Sequence, residues 1–207
     1  MIMKNLPFLQ KQSKALVFSI LFLLSIGVNQ LKAQSGWEVG LNAGLSLPIT
    51  GYKEVLKNGW LLGAEGKYRF GNGHFAVGIE TDFVRLQNDK NSADSFQNAR
   101  MTLAPILFMA EYELNTRSNW KPYFSGGLGL SLFNLNYDKS PTEGKTDFNV
   151  SFTLSPQVGL RYKASDHLLP FVEYRAVLLT DGPPIGFPKS DKLTGYNAFA
   201  AGINYRF

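Results

Sequence analysis

Tyr196-Asn-Ala-Phe-Ala-Ala-Gly-Ile-Asn-Tyr-Arg-Phe207, at the carboxyl end of the chain, decides how the rest is read. Taken as a strand, it points successive side chains to opposite faces. Phe199, Ala201, Ile203, Tyr205 and Phe207 share one face; Ala198, Ala200, Gly202, Asn204 and Arg206 share the other. The second set is small or charged and makes no hydrophobic core. The first is apolar and ends in two aromatic residues, which suits a lipid-facing strand whose rings sit at the membrane boundary. A soluble lipocalin-like barrel with the apolar face turned inward uses the same alternation, and on this stretch alone it stays open.

The start of the chain favours the envelope. Lys4, Lys11 and Lys14 precede an apolar run from Ala15 to Val28, shorter than the roughly 20 residues a spanning helix needs. A basic start and a short apolar run are the pattern of a secretory signal peptide, here residues 1–33, with cleavage expected after Ala33 or Ser35. A helical membrane anchor is the alternative. The expected barrel domain is 36–207.

Removing that segment changes the charge argument. The chain has 21 Lys and Arg against 16 Asp and Glu, and Lys4, Lys11, Lys14 and Lys32 lie before the cut. That leaves 17 against 16, a net charge of +1, and no reason to expect a nucleic-acid partner. There is no Cys, so disulfides, thiolate metal sites and Cys nucleophiles are excluded together.

From residue 37 the period is two. Trp37, Val39, Leu41, Ala43, Leu45 and Leu47 alternate with Glu38, Gly40, Asn42, Gly44 and Ser46 over a length near the 9–11 residues a tilted membrane strand needs. Trp60–Phe70 sets Trp60, Leu62, Ala64, Tyr68 and Phe70 against Glu65, Lys67 and Arg69. Asn72-Gly73 signals a two-residue type I′ hairpin. The register it fixes puts Phe70 opposite Phe75, Tyr68 opposite Val77 and Glu65 opposite Glu80, with Lys67 expected to relieve the like-charge pair. The third strand is expected to end at Phe83. In the fourth, Arg100–Leu114, turning Glu111 and Glu113 inward forces Met101, Leu103, Leu107 and Met109 inward too, a smaller cost than two carboxylates in lipid. A bulge at Pro105 is the alternative. The fifth, Pro122–Tyr137, changes phase after Leu132, so a bulge is expected that turns Phe133, Leu135 and Tyr137 outward. Phe148–Lys163, Pro170–Leu178 and the closing strand complete the set.

The fold class is therefore all-β: an eight-stranded antiparallel up-and-down transmembrane barrel behind a cleavable signal peptide. Short turns at 71–74, 115–120 and 164–167 alternate with long loops, the arrangement of an outer-membrane barrel with short periplasmic turns, longer external loops and both termini periplasmic. Trp37, Phe70, Phe75, Tyr112, Tyr123, Tyr162, Tyr205 and Phe207 are expected as an aromatic belt near the turns, and Trp60, Phe83 and Phe148 as one near the loops.

Several stretches also resemble a known family: Ala33-Gln34, Leu103-Ala104-Pro105-Ile106-Leu107, Lys121-Pro122-Tyr123-Phe124, Gly126-Gly127-Leu128-Gly129, Phe171-Val172-Glu173-Tyr174-Arg175 and Gly202-Ile203-Asn204-Tyr205-Arg206-Phe207. They resemble the outer membrane protein β-barrel domain family, the small eight-stranded OmpX-like and PorT-like barrels of Bacteroidetes. The resemblance implies location in the outer membrane, lipid and lipopolysaccharide as surroundings, and barrel-assembly machinery that reads Tyr205 and Phe207. No peptidoglycan-binding domain is expected after the barrel.

Function is less legible. Glu38, Glu65, Glu80, Asp82, Glu111, Glu113 and Glu173 face the lumen with Lys67, Arg69, Lys163, Arg161, Arg175 and Arg206. An eight-stranded lumen is just wide enough for side chains to fill, so these read as a paired plug, with a narrow solute or ion path as the alternative. His74 and His167 fall in short turns, read as polar turn residues; no catalytic residue, metal site or cofactor is expected. The long loops carry Lys53, Lys57, Lys90, Lys139, Lys145, Lys189 and Lys192 with Tyr52, Phe96 and Phe187, either solvated tips or a contact for lipopolysaccharide phosphates. Gly182–Pro188, displaying Ile185 and Phe187, is the candidate loop for an envelope protein partner. The sequence thus points to a structural or envelope-integrity role. A narrow channel, or an accessory subunit of a secretion or uptake machine, remains the alternative.

Overall fold

The computed structural model describes residues 36–49, 53, 56–71, 73–88, 97–139, 142–145, 149–180 and 194–207. The expected signal peptide, Phe148, Ile185, Phe187 and much of the long loops, Lys90, Lys189 and Lys192 included, lie outside these residues.

Among the described residues nine strands form one antiparallel sheet: β1 Gly36–Pro48, β2 Lys57–Phe70, β3 Phe75–Gln87, β4 Gln97–Glu113, β5 Trp120–Lys139, β6 Thr142–Lys145, β7 Asn149–Tyr162, β8 Leu168–Leu179 and β9 Thr194–Arg206. Eight are staves. The ninth, β6, pairs with β5 from Asn136 to Lys139, continuing along β5 the row that β7 occupies from Trp120 to Phe133. The sheet closes where β1 meets β9, paired without a break from Glu38–Arg206 to Pro48–Tyr196. Closure gives each of the eight staves a neighbour on both sides, which spares the backbone unpaired amides that hydrocarbon would penalise by several kcal/mol per group.

The apolar face of every stave points out. Leu41 is 70 % exposed and Ile203 52 %, whereas Asn204 between Ile203 and Tyr205 is fully buried. This orientation removes the lipocalin-like alternative, which needs the reverse. Water would not tolerate an outer band of this extent on a monomer.

Register follows the hairpin logic with one correction. Phe70 faces Phe75, Tyr68 faces Val77 and Glu65 faces Glu80. The connection, however, occupies 71–74 rather than two residues, with Gly71 and Gly73 at φ 52° and 82° and the Gly73 N–H donating to the Phe70 carbonyl at 2.9 Å. β3 runs four residues past Phe83, because Val84 and Leu86 continue the inward row and both are fully buried.

In β4, Met101, Leu103, Leu107 and Met109 point inward, and the register runs straight through Pro105, so the chain has no bulge there. The bulge expected in β5 is also absent: pairing with β4 is unbroken from Asn136 to Tyr123. Phe133 is accordingly buried in the lumen rather than outside. The lumen at the loop end is apolar, filled by Leu61, Val84, Leu86, Met101, Leu103, Phe133, Val177 and Leu179. Phe133 belongs to that filling.

Two large rings fit inside only because a glycine faces each across the ladder. Tyr123 pairs with Gly159 and Phe171 with Gly202. A Cβ at Gly159 would overlap the Tyr123 ring, and one at Gly202 would lie 2.6 Å from Phe171 Cζ. Tyr123 is thus a lumen residue, not part of the outer aromatic belt expected for it.

Candidate functional site

The lumen below the apolar end is a two-layer network of charge, built from side chains that alternation turns inward. In the layer nearest the short turns, Glu111 on β4 is the hub. It accepts from Lys67 Nζ at 2.8 Å, Arg69 Nη2 at 2.5 Å and Arg161 Nη1 and Nη2 at 2.9 and 3.0 Å. Glu38 accepts from Arg69 Nε at 2.8 Å and, across the closing seam, from Arg206 Nε at 2.5 Å. Glu113 takes Arg161 at 2.7 Å, and Glu65 takes Lys67 at 2.7 Å. Four carboxylates and four cations balance in this layer.

The second layer sits deeper. Arg175 on β8 donates to Glu80, to Glu173 and, at 2.6 Å, to Asp82. Gln157 Nε2 donates to Glu80 at 2.7 Å, and the Tyr123 hydroxyl donates to Glu173 at 2.9 Å. The Arg161 guanidinium lies 4.5 Å over the Tyr123 ring and links the layers. Lys67, the expected relief for the facing pair Glu65 and Glu80, bonds Glu65 and Glu111; Glu80 is served by Arg175 from across the lumen.

All of these groups are buried except Arg206, which is partly exposed at the mouth. Removing such ions from water costs several kcal/mol each, so only dense, well-formed hydrogen bonding makes the arrangement tolerable. The bonds supply that for most of these atoms; Asp82 Oδ1 and the Nε atoms of Arg161 and Arg175 are buried without partners.

Sequence reasoning placed Lys163 in this set; the structure does not. Lys163 follows the last residue of β7 and donates to Asp166 Oδ1 at 2.7 Å in the turn. That hydrogen bond holds the exposed Asp166 carboxyl below its usual range. Tyr123 and Gln157 were missed as members. Parity with Gly127 and Gly129 would have turned Tyr123 inward, but no sequence signal names its partner.

His74 and His167 stay at the turns, their Nδ1 atoms 3.1 Å from the Glu113 carbonyl and 2.7 Å from the Arg206 carbonyl. Two depressions, about 680 and 830 Å³, lie on the outer wall around Ala43 and Ala201 rather than in the lumen.

Solved structures share this architecture. Neisserial surface protein A is 18 % identical, over 84 % of this chain and 100 % of that one, with a TM-score of 0.55. The outer membrane protein OprG from Pseudomonas aeruginosa is 18 % identical, over 87 % and 99 %, with a TM-score of 0.52. At such identity the likeness is one of fold. No curated protein matches the chain by sequence. The family model for the outer membrane protein beta-barrel domain matches residues 18–207, so the outer apolar band is a lipid-facing surface. The chain is an outer-membrane β-barrel protein and belongs to the outer membrane protein beta-barrel domain family.

Proposed function

We propose that this barrel is a non-conducting, non-enzymatic wall protein of the outer membrane, acting in envelope integrity or as a membrane-embedded interaction partner. The observation that carries the reading is the double closure of the bore: the charge-paired ring around Glu111 at one end and the apolar filling around Leu103 and Phe133 at the other. Side chains that pair with one another across a bore this narrow leave no continuous path for a permeating solute through the described residues. In planar lipid bilayers the refolded protein should give no stepwise conductance. A stable open level of reproducible size would overturn the plug and make the narrow channel the better reading.

In this proposal the short turns and both termini are periplasmic, and the long loops meet lipopolysaccharide outside. The Gly182–Pro188 loop, through Ile185 and Phe187, meets an envelope protein partner. Tyr205 and Phe207 address the assembly machinery. Phe207 supports that role by its position: it is 70 % exposed, packs edge-on against Tyr205 at 5.0 Å, and donates its N–H to the Trp37 carbonyl at 2.9 Å. Phe207→Ala keeps that backbone bond. It should therefore lower the rate of machinery-assisted insertion several-fold while changing the stability of the refolded barrel by no more than about 0.5 kcal/mol. Parallel insertion and urea-unfolding measurements check this, and a matched loss in both would make Phe207 a packing residue instead.

A further inference from the structure

The two charged layers differ in balance. Around Arg175 stand three carboxylates, Glu80, Asp82 and Glu173, with no second cation in the layer among the described residues. Formally this is two negative charges in excess at mid-lumen. Neutral donors relieve two of the three: Gln157 serves Glu80 and Tyr123 serves Glu173. Asp82 has no such help. Its Oδ2 takes Arg175, while its Oδ1 is buried without a hydrogen-bond partner.

That free oxygen lies over Gly63, where a Cβ would overlap it. Asn42 shares the notch. Its Oδ1 and Nδ2 lie 2.7 and 2.8 Å from the same Cβ position, are themselves without partners, and belong to a side chain only 5 % exposed. The ladder dictates the arrangement: Gly63 pairs with Asn42 on one side and Asp82 on the other, so two polar side chains converge over one residue that has none.

A buried carboxylate oxygen left unpaired is costly, and an uncompensated charge more so. Positive charge small enough for a glycine notch relieves both, and carboxylate and amide oxygens select a hard ion. We infer that the notch over Gly63 binds a small monovalent cation of the sodium class, held by Asp82 Oδ1 and Asn42 Oδ1, with water completing its shell. No three His, Cys, Asp or Glu converge in metal-holding geometry among the described residues, which argues for a monovalent rather than a divalent ion. The plugs at both ends imply that the ion is taken up as the barrel closes. This inference does not depend on the barrel being non-conducting, and its test reads stability rather than current.

The full chain is refolded from urea into detergent micelles in sodium chloride or N-methylglucamine chloride at equal ionic strength, with lithium, potassium and calcium chlorides completing the series. The urea midpoint should rise with sodium and not with N-methylglucamine, as for any ligand that binds the folded state alone. Asp82→Asn should abolish that response. Asn42→Ala, which leaves every charge in place, should shift it to higher sodium, and this variant carries the test if Asp82→Asn does not fold. Equal midpoints in all salts would overturn the inference, as would an unchanged sodium response in both variants or a response to calcium alone. A midpoint that moves with pH but not with sodium would put a proton where the cation is placed and would overturn it as well.

Discussion

Glu111→Ala is expected to destabilise the barrel by about 3–5 kcal/mol, the range for removing one partner of a buried ion pair. Glu111 is the single acceptor shared by Lys67, Arg69 and Arg161, and it is 1 % exposed. Without it each cation keeps one carboxylate: Lys67 holds Glu65, Arg69 holds Glu38 and Arg161 holds Glu113. The loss therefore stays far from the tens of kcal/mol that an isolated buried charge would cost in a dry interior. The layer nevertheless gains one uncompensated positive charge, and several N–H donors lose their acceptor. Urea unfolding in micelles, followed by the fluorescence of Trp37, Trp60 and Trp120, measures the change. Adding Lys67→Met restores the formal charge balance but strips Glu65 of its cation, so the double variant should recover little of the loss. A single-variant effect below about 1 kcal/mol, the size of an exposed pair, would mean that water reaches the layer and that the plug is loose.

How much of this lumen could be read beforehand depended on which half it lies in. In β1 and β7, and in β2 from Gly63 onward, one face is polar or glycine, so the period of two assigns the side chains, and the register through residues 71–74 follows from it. In β4 the rule held only because Glu111 and Glu113 cost more in lipid than Met101 and Leu103 cost inside. In β5 it failed. Leu132 and Phe133 are both apolar, so alternation carries no signal there, and a bulge was expected where the chain simply fills an apolar half-lumen with Phe133. Tyr123 misled for a related reason: an aromatic near a strand end reads as a belt residue, and only the glycine facing it, Gly159, shows that the ring has room inside. Faces were legible and partners were not. Which cation meets Glu80 depends on the stagger of staves across the bore, which places Arg175 of β8 beside it and keeps Lys67 for Glu111. Lys163 marks the remaining error, alternation carried one residue beyond the end of β7.

Ile203→Arg is the second large effect, expected at roughly 2–4 kcal/mol. Ile203 faces outward from β9 between Leu41 of β1 and Pro170 of β8, and its exposed flank touches no other stave. The cost cannot come from a cavity or a clash, because the side chain ends in the surroundings of the barrel rather than in its core. It can come only from placing a guanidinium where water is absent, moderated by the length of the Arg stem, which lets the charge bend toward the interface. Depth is therefore the variable to measure. The same substitution at Tyr205, two residues nearer the turn end and stacked 5.6 Å from His167, should cost only about 0–1 kcal/mol of transfer energy. Unfolding both variants from lipid vesicles yields the gradient. If Arg costs as little at Ile203 as at Tyr205, the outer band is not in hydrocarbon at that height, and the barrel sits at a different depth. If Ile203→Arg instead makes the chain soluble without detergent, the outward apolar face is not a membrane surface at all.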